Sequence, residues 1–574
     1  MSIHPSRGAT AFGVALALVA TGVAGAAPAH AATSVQAAID AAPAGGTVRL
    51  APGTYSGGVT IDKSLTLVGS GAGRTTLRGG DSVIRVASPA GSAPPTVTIA
   101  DLTLTGGVAH GAPATPADAF GGGLLVEGQG DGVGARVLLR HATVVGNRAV
   151  PLETVVSPRG ATCPGGPCPY ALAAGGGIAS FGDLTIDHSL VRGNAATGRS
   201  SDAQGGGVWT SRGHLRILSS SIEGNRAEPR SIGRYAEGGG VFTDEARTGA
   251  PPIPLTIADS HIDHNTALLD TRWPVKASPE AEGPIGMIAN AGGLHVGSGY
   301  ATTVDRSTIG RNRLAAIDPV GEPVAFDSGV IQAFAGTFTM RRSHVDGNSA
   351  KVVAATADDV LTSGTAVEID GVARFDDTTI SRNTADASGT AGSAWVSNGL
   401  AVLAADAPGQ ADLRRVSIVG NTASARSSTG AARVLGVGVL NNSLLTMTDT
   451  VVARNRGKAV SSDASAQGGG VWNGAFLSGP PVQLTAHRSL ITGNSVVARG
   501  GTAEGGGIFT VPGDGVGLTL DRTPVIRNDP DQCAGCTATA APDAHPAPQA
   551  KSAPHAQLAP RARTAPSFPR ILGR

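Results

Sequence analysis

Short runs of alternating apolar and polar residues, separated by glycines, fill most of this chain. Near the start, Val35, Ala38, Ile39 and Ala42 have helical spacing, Ser34 can cap the first turn, and Pro43 stops the run, which predicts a short helix. Strands are predicted next at Gly46-Thr47-Val48-Arg49-Leu50, Val59-Thr60-Ile61 and Leu65-Thr66-Leu67-Val68. Pro52-Gly53-Thr54-Tyr55 and Gly69-Ser70-Gly71 are expected to be the turns between them. A helix in that place would cover the open end of a sheet, which otherwise is a template for aggregation.

A unit then recurs. It opens with glycines and an apolar residue, as in Gly121-Gly122-Gly123-Leu124, Gly205-Gly206-Gly207-Val208 and Gly468-Gly469-Gly470-Val471, and it closes on asparagine, as in Ser189-Leu190-Val191-Arg192-Gly193-Asn194. The closing asparagines are Asn147, Asn194, Asn225, Asn265, Asn312, Asn348, Asn383, Asn421, Asn455, Asn494 and Asn528, separated by 31 to 47 residues. A strand-turn-strand coil of near-constant size carrying a loop of variable length explains that spread. One coil is too short to bury its own apolar face, but coils stacked about 4.8 Å apart line a continuous interior with their Val, Ile and Leu. About a dozen coils would make a rod roughly 60 Å long. Glycine supplies tight corners, and stacked asparagines can form hydrogen-bonded ladders. A propeller or sandwich would instead require hairpin turns between longer alternating strands.

These motifs carry a resemblance. Residues 35–71 resemble the first coil of the pectate-lyase-like superfamily, in the order helix, Gly-Thr-Val-x-Leu, Pro-Gly-Thr-Tyr, Ser-Leu-Thr-Leu-x-Gly. The glycine-triplet and asparagine units are similar to those of polymorphic outer-membrane proteins and of bacterial right-handed β-helix repeat proteins. The likeness spans residues 33–536 and implies an all-β, right-handed parallel β-helix with a short N-terminal capping helix. It leaves activity open, because the superfamily holds lyases, hydrolases, esterases and adhesins.

Composition agrees with a solenoid. Glycine numbers 83 of 574 residues, charged residues are 15% and aromatics 3%, yet hydrophobic residues reach 41%, too many for a disordered chain. Arg7, a short apolar run from Phe12 to Val23 and Ala29-His30-Ala31 read as a secretory signal over residues 1–31. That run is shorter than the ~20 residues of a membrane span. Residues 33–536 are expected to be the solenoid, and 537–574 an Ala/Pro-rich disordered tail. The net charge is +1, with +4 in that tail and about −4 between leader and tail. An acidic body argues against a nucleic-acid partner. In an oxidising compartment, Cys163 with Cys168 and Cys533 with Cys536 are expected to close two local disulfides. Segments 149–174, 268–290 and 422–435 read as inserts, which in repeat proteins often carry function.

Catalytic constellations known on this scaffold are incomplete here. Asp358-Asp359 and Asp376-Asp377 are paired aspartates without the companion motifs of a glycoside hydrolase, and neighbours along a strand point to opposite faces. Ile186-Asp187-His188-Ser189 and Ile262-Asp263-His264 resemble a lyase strand motif without its tryptophan. Arg522-Thr523-Pro524-Val525-Ile526-Arg527 matches the setting of a lyase base but aligns with the ordinary repeat. No catalytic residue, metal ligand or cofactor is assigned. Trp209, Phe242, Trp472 and Phe509 occupy one position after the glycine triplets, and Trp395 nearly so. Stacked one coil apart, they are either a platform for sugar rings or a ladder packed beneath the loops. The expectation is a secreted, extracellular scaffold without clear catalytic machinery that binds polysaccharide or another cell-surface component. The alternative is a divergent carbohydrate-active lyase or hydrolase.

Overall fold

The computed structural model describes residues 18–21, 34–111, 118–129, 134–152, 162–163, 166–167, 171–198, 201–229, 235–246, 249–270, 287–318, 325–354, 359–403, 409–475, 481–513 and 515–536. The chain is a right-handed parallel β-helix, with three long sheets, A, B and C, and one two-stranded ribbon among the described residues. A representative coil runs from the Gly205 turn through Val208–Thr210 and Leu215–Leu218 in sheet A, and Ser221–Glu223 in sheet B. It ends with Arg226–Pro229 and Tyr235–Glu237 in sheet C. The strands at the two ends of this five-strand unit are called opening and closing here. Each pairs in parallel with its equivalent one coil on, as Val208–Thr210 does with Val241–Thr243.

Period-two burial explains the strands. Val241, Leu294, Ile331 and Val367 occupy one register position in successive coils and fill the interior, while the residue after each faces outward. The glycine triplet and the closing asparagine are parts of one device. Asn225 donates both Nδ2 hydrogens, to Asn265 Oδ1 at 3.0 Å and Val191 O at 3.0 Å, and its own Oδ1 accepts from Asn194. A Cβ on Gly207, the third glycine of its turn, would lie 2.8 Å from that Asn225 Nδ2 and 2.7 Å from Gly240 O. The glycine therefore makes room for the amide. All eleven asparagines belong to this ladder, which ends where Gln532 Oε1 accepts from Asn528 Nδ2 at 3.1 Å.

The predicted helix is Val35–Ala41, with Ser34 Oγ accepting from Ala37 N at 3.1 Å. Gln36 then acts as a surrogate strand. Its Oε1 accepts from Thr60 N at 2.7 Å and its Nε2 donates to Thr60 O at 3.0 Å, closing the open edge of Val59–Ile61. Leu18–Thr21, inside the expected leader, pairs antiparallel with Thr47–Leu50. Two expectations need correction. Gly53–Ser56 is a strand paired with Thr75–Arg78, because Tyr55 points inward and is buried. Segment 422–435 is no insert: Thr422–Ser427 and Ala431–Leu435 are regular sheet C strands whose small alanines face the interior. Cys533 and Cys536 form a disulfide. The Cys163–Cys168 pairing lies outside the described residues, as does the tail.

Candidate functional site

The fragments that resemble enzyme motifs are corners of the coil. His188 and Arg522 sit at the turn between sheets A and B with φ of +45° and +48°, and the next hydroxyl bonds back across the turn, Ser189 to Asp187 O and Thr523 to Asp521 O. His264 and Arg527, with φ of +57° and +56°, hold the same conformation at the corner between sheets B and C. Asp377 is held by Arg415 through two bonds of 2.6 and 2.9 Å, and Asp376 by Arg374 at 2.7 Å. Asp358 lies outside the described residues, and Asp359 accepts from Ser393 N. A shallow groove of about 560 Å³ runs along the A–B corner past His141, His188, Asp259 and His261. In it His188 Nδ1 meets Asp187 Oδ1 at 2.7 Å, and His141 Nδ1 lies 3.7 Å from Asp101 Oδ1.

The aromatic row is packed away. Trp209 is 3% exposed, Phe242 4%, Trp472 4% and Phe509 8%, so no ring face is open to a sugar. Trp209 packs with Phe120 and Phe181 at 5.3 and 5.0 Å, while Trp472 and Phe509 share a cluster with Leu435 and Leu440. Trp395 is not in the row. It lies on the closing strand Ala394–Val396, in register with Leu361 and Arg433.

Between the two aromatic pairs the same row turns polar. In register it reads Trp209, Phe242, His295, Gln332, Glu368 and then Ala401. The neighbouring row, just ahead of the glycine turns, reads Ala174, Gln204, Glu237, Asn290, Ser328 and Ser363. The polar stretch of the first row is flanked by Trp209 and Phe242 on one side and by Ala401, Leu440, Trp472 and Phe509 on the other, whereas the closing row turns polar again at Gln467 and Glu504, where Gln467 Nε2 donates to Glu504 Oε2 at 3.2 Å. None of these positions was singled out by the sequence motifs.

The polar groups are bonded in two sets. Glu237 Oε2 accepts from Gln204 Nε2 at 2.8 Å and Oε1 from Asn290 Nδ2 at 3.0 Å, while Trp209 Nε1 donates to Gln204 Oε1 at 3.3 Å. Glu368 accepts from Gln332 Nε2 at 3.2 Å and from Ser363 Oγ. Burial pushes the Glu237 carboxyl up to about 7 despite its two amide donors, and the nearby Asp202 and Asp244 push the same way. His295 stacks on Phe242 with centroids 4.3 Å apart and planes at 12°. Burial lowers its imidazole to about 4, with the Thr243 backbone opposing, so it is neutral at pH 7. The segment thus offers an acid that exchanges its proton near neutrality and a neutral imidazole, both on the outward face of the coil. Among the described residues no three His, Cys, Asp or Glu side chains converge to hold a metal, and no helix is long and apolar enough to cross a membrane.

No family model and no curated protein matches the chain. Among solved structures it is similar to the catalytic unit of a thermostable GH87 α-1,3-glucanase from Streptomyces thermodiastaticus strain HF3-3, at 14% identity and a TM-score of 0.26. That match covers 85% of this chain and 64% of the glucanase unit, so the chain spans less than two thirds of the neighbour's length.

Proposed function

We propose that this protein is an exported β-helix that binds an extracellular polysaccharide or another surface ligand, and that the ligand is read at the polar segment in the middle of the rod. One observation carries the reading: the outward opening row, apolar at Trp209 and Phe242 and again from Ala401 to Phe509, becomes His295, Gln332 and Glu368 in the middle coils, beside a closing row that carries Gln204, Glu237 and Asn290. Export rests on the leader reading of residues 1–31.

A second reading, a divergent carbohydrate-active enzyme, is favoured by Glu237 alone, since a carboxyl near 7 suits a general acid. Against it, glycosidic cleavage by two carboxyls needs them about 5 to 9.5 Å apart. The backbones of Glu237 and Glu368 are three coils, or roughly 14 Å, apart at the usual strand spacing. The deciding experiment incubates the purified protein with plant and microbial polysaccharides, with and without calcium. Pull-down, new reducing ends and unsaturated-product absorbance are followed together. Retention of a polymer without turnover is the expected result, and turnover on any polymer would replace the binding reading by the enzymatic one.

A further inference from the structure

We propose that the C-terminal end of the rod docks on an anionic lipid bilayer through the corner between sheets B and C. The proposal stands apart from the polysaccharide reading, which concerns the middle coils.

Most corner arginines are clamped to an aspartate of the preceding coil, as Arg306 is to Asp259, Arg342 to Asp305, Arg415 to Asp377 and Arg488 to Asp449. Arg454, Arg456, Lys458, Arg499 and Arg527 differ. None of them makes an ion pair or a side-chain hydrogen bond among the described residues. Arg454 and Arg527 hold the B–C corner with φ of +57° and +56°, two coils apart, or about 10 Å at the usual strand spacing. Gly493 is the corner residue between them, and Arg454 lies against it: a Cβ there would be 3.8 Å from Arg454 Cγ. Arg456 and Lys458 follow on the outward side of sheet C, in register with Ser495 and Val497, and Arg499 stands beside Val460. Acids of neighbouring sheet C positions are engaged, Asp463 by Arg433 and Asp386 by Arg426. Asp529, bridged to Ser495, offsets one charge of the five.

Charge alone would suit any polyanion, but the patch is also apolar and flat. Val497 and Ile526 are 46% and 45% exposed, among the most exposed large hydrophobics of the rod. Two-residue corners bound sheet B on both sides, Arg488-Ser489 and Gly493-Asn494 in one coil. In sheet C, Arg456–Gln467 and Ser495–Glu504 are unbroken strands, where the coil of Arg226–Pro229 and Tyr235–Glu237 carries a loop. No loop therefore stands between this face and a flat surface. A headgroup layer takes cations at its phosphates and apolar side chains at the acyl boundary, whereas a soluble polyanion leaves Val497 and Ile526 in water. The chain leaving this end adds to the charge. Cys533–Ala534 pairs with Ile508–Phe509, and beyond Cys536 come Lys551, Arg561, Arg563, Arg570 and Arg574 against Asp543.

The test is co-sedimentation of the full chain with phosphatidylcholine vesicles, with and without phosphatidylglycerol. Wild type is compared with R454Q/R456Q/K458Q and with R74Q/R78Q/R148Q, which removes the same charge at the other end of the rod. A third variant replaces the five tail cations by glutamine. The expected result is sedimentation only with phosphatidylglycerol, weakened by added salt, reduced roughly a hundredfold in the first variant and little changed in the second. Should the first variant melt below wild type, Lys458→Glu alone decides: a loss of about tenfold supports the proposal, and unchanged binding overturns it. Equal weakening in both triple variants assigns the binding to net charge and overturns the proposal. Loss in the tail variant with R454Q/R456Q/K458Q unchanged moves the contact off the rod and overturns it too. Equal sedimentation with phosphatidylcholine alone removes the cations from the contact. Failure to sediment with either vesicle overturns the proposal, and retention on immobilised polyphosphate would then assign the patch to a soluble polyanion. None of these outcomes touches the polysaccharide reading.

Discussion

At the scale of single residues, the central segment ties stability to pH in a way two side chains make opposite. Glu237 titrates near 7 in the fold against 4.5 in the open chain, so between those values the folded state holds one proton more, and stability falls as pH rises. His295 titrates near 4 against 6.5, so over that range the unfolded chain holds one proton more, and stability rises with pH. The two slopes nearly cancel between 4.5 and 6.5. Glu237→Gln removes only the first. The stability of wild type minus that of E237Q should therefore drop by roughly 3 kcal/mol from pH 4.5 to 7.5, read from denaturant curves at a series of pH values. A pH-independent difference would mean that Glu237 binds its proton equally in the folded and unfolded chain, and that burial does not set its proton affinity.

At the scale of elements, the corner residues and the ladder residues look alike in sequence periodicity but carry different loads. Asn348 donates to Asn383 and Ile309 O while accepting from the backbone and side chain of Asn312, all of it buried. Asn348→Ala strands those partners without water, and a loss of about 3 kcal/mol is expected from denaturation. Arg415, by contrast, pairs with Asp377 in solvent and holds a left-handed backbone with φ of +52°. Arg415→Gly loses an exposed ion pair but relieves that backbone, so its melting midpoint should stay close to wild type. The same contrast explains what was readable in the chain. Glycine triplets and asparagines announce the fold because the Gly207 and Asn225 geometry recurs in most of the coils. Gln204 and Glu237 also stand directly before intact triplets, and could have been aligned. Asn290, Ser328 and Ser363 precede Ala291-Gly292-Gly293, Gly329-Val330 and Gly364-Thr365, where the triplet is broken. Without that marker, loops of unequal length hide the register, and His295, Gln332 and Glu368 do not appear as a row. Trp395 was placed in the wrong row for the same reason, since its coil turns on Asn398-Gly399 and the tryptophan comes before the turn.

At the scale of the whole molecule, each coil touches mainly the coils on either side, so stability is close to a sum of coils and their interfaces. A site built from consecutive coils is then separable from the scaffold. Residues 308–343 are one full period, since Thr308 and His344 occupy the same register position. Removing them joins Ser307 to His344, brings Asn265 opposite Asn348 and leaves the ladder unbroken, but deletes Gln332 and Ser328 and with them the coil that separates His295 from Glu368. Residues 417–450 are likewise one period, from Ser417 to its partner Val451, and lie outside the polar segment. Both deletions should give cooperatively unfolding, β-rich rods with circular dichroism like the parent and slightly lower midpoints. Only the first should abolish retention by the polysaccharide that the full chain binds. Equal loss in both would place recognition along the entire rod, where a long polymer needs length more than any one coil. Equal retention would move it to the loops, and the polar rows would then be a feature of the scaffold whose partner is internal.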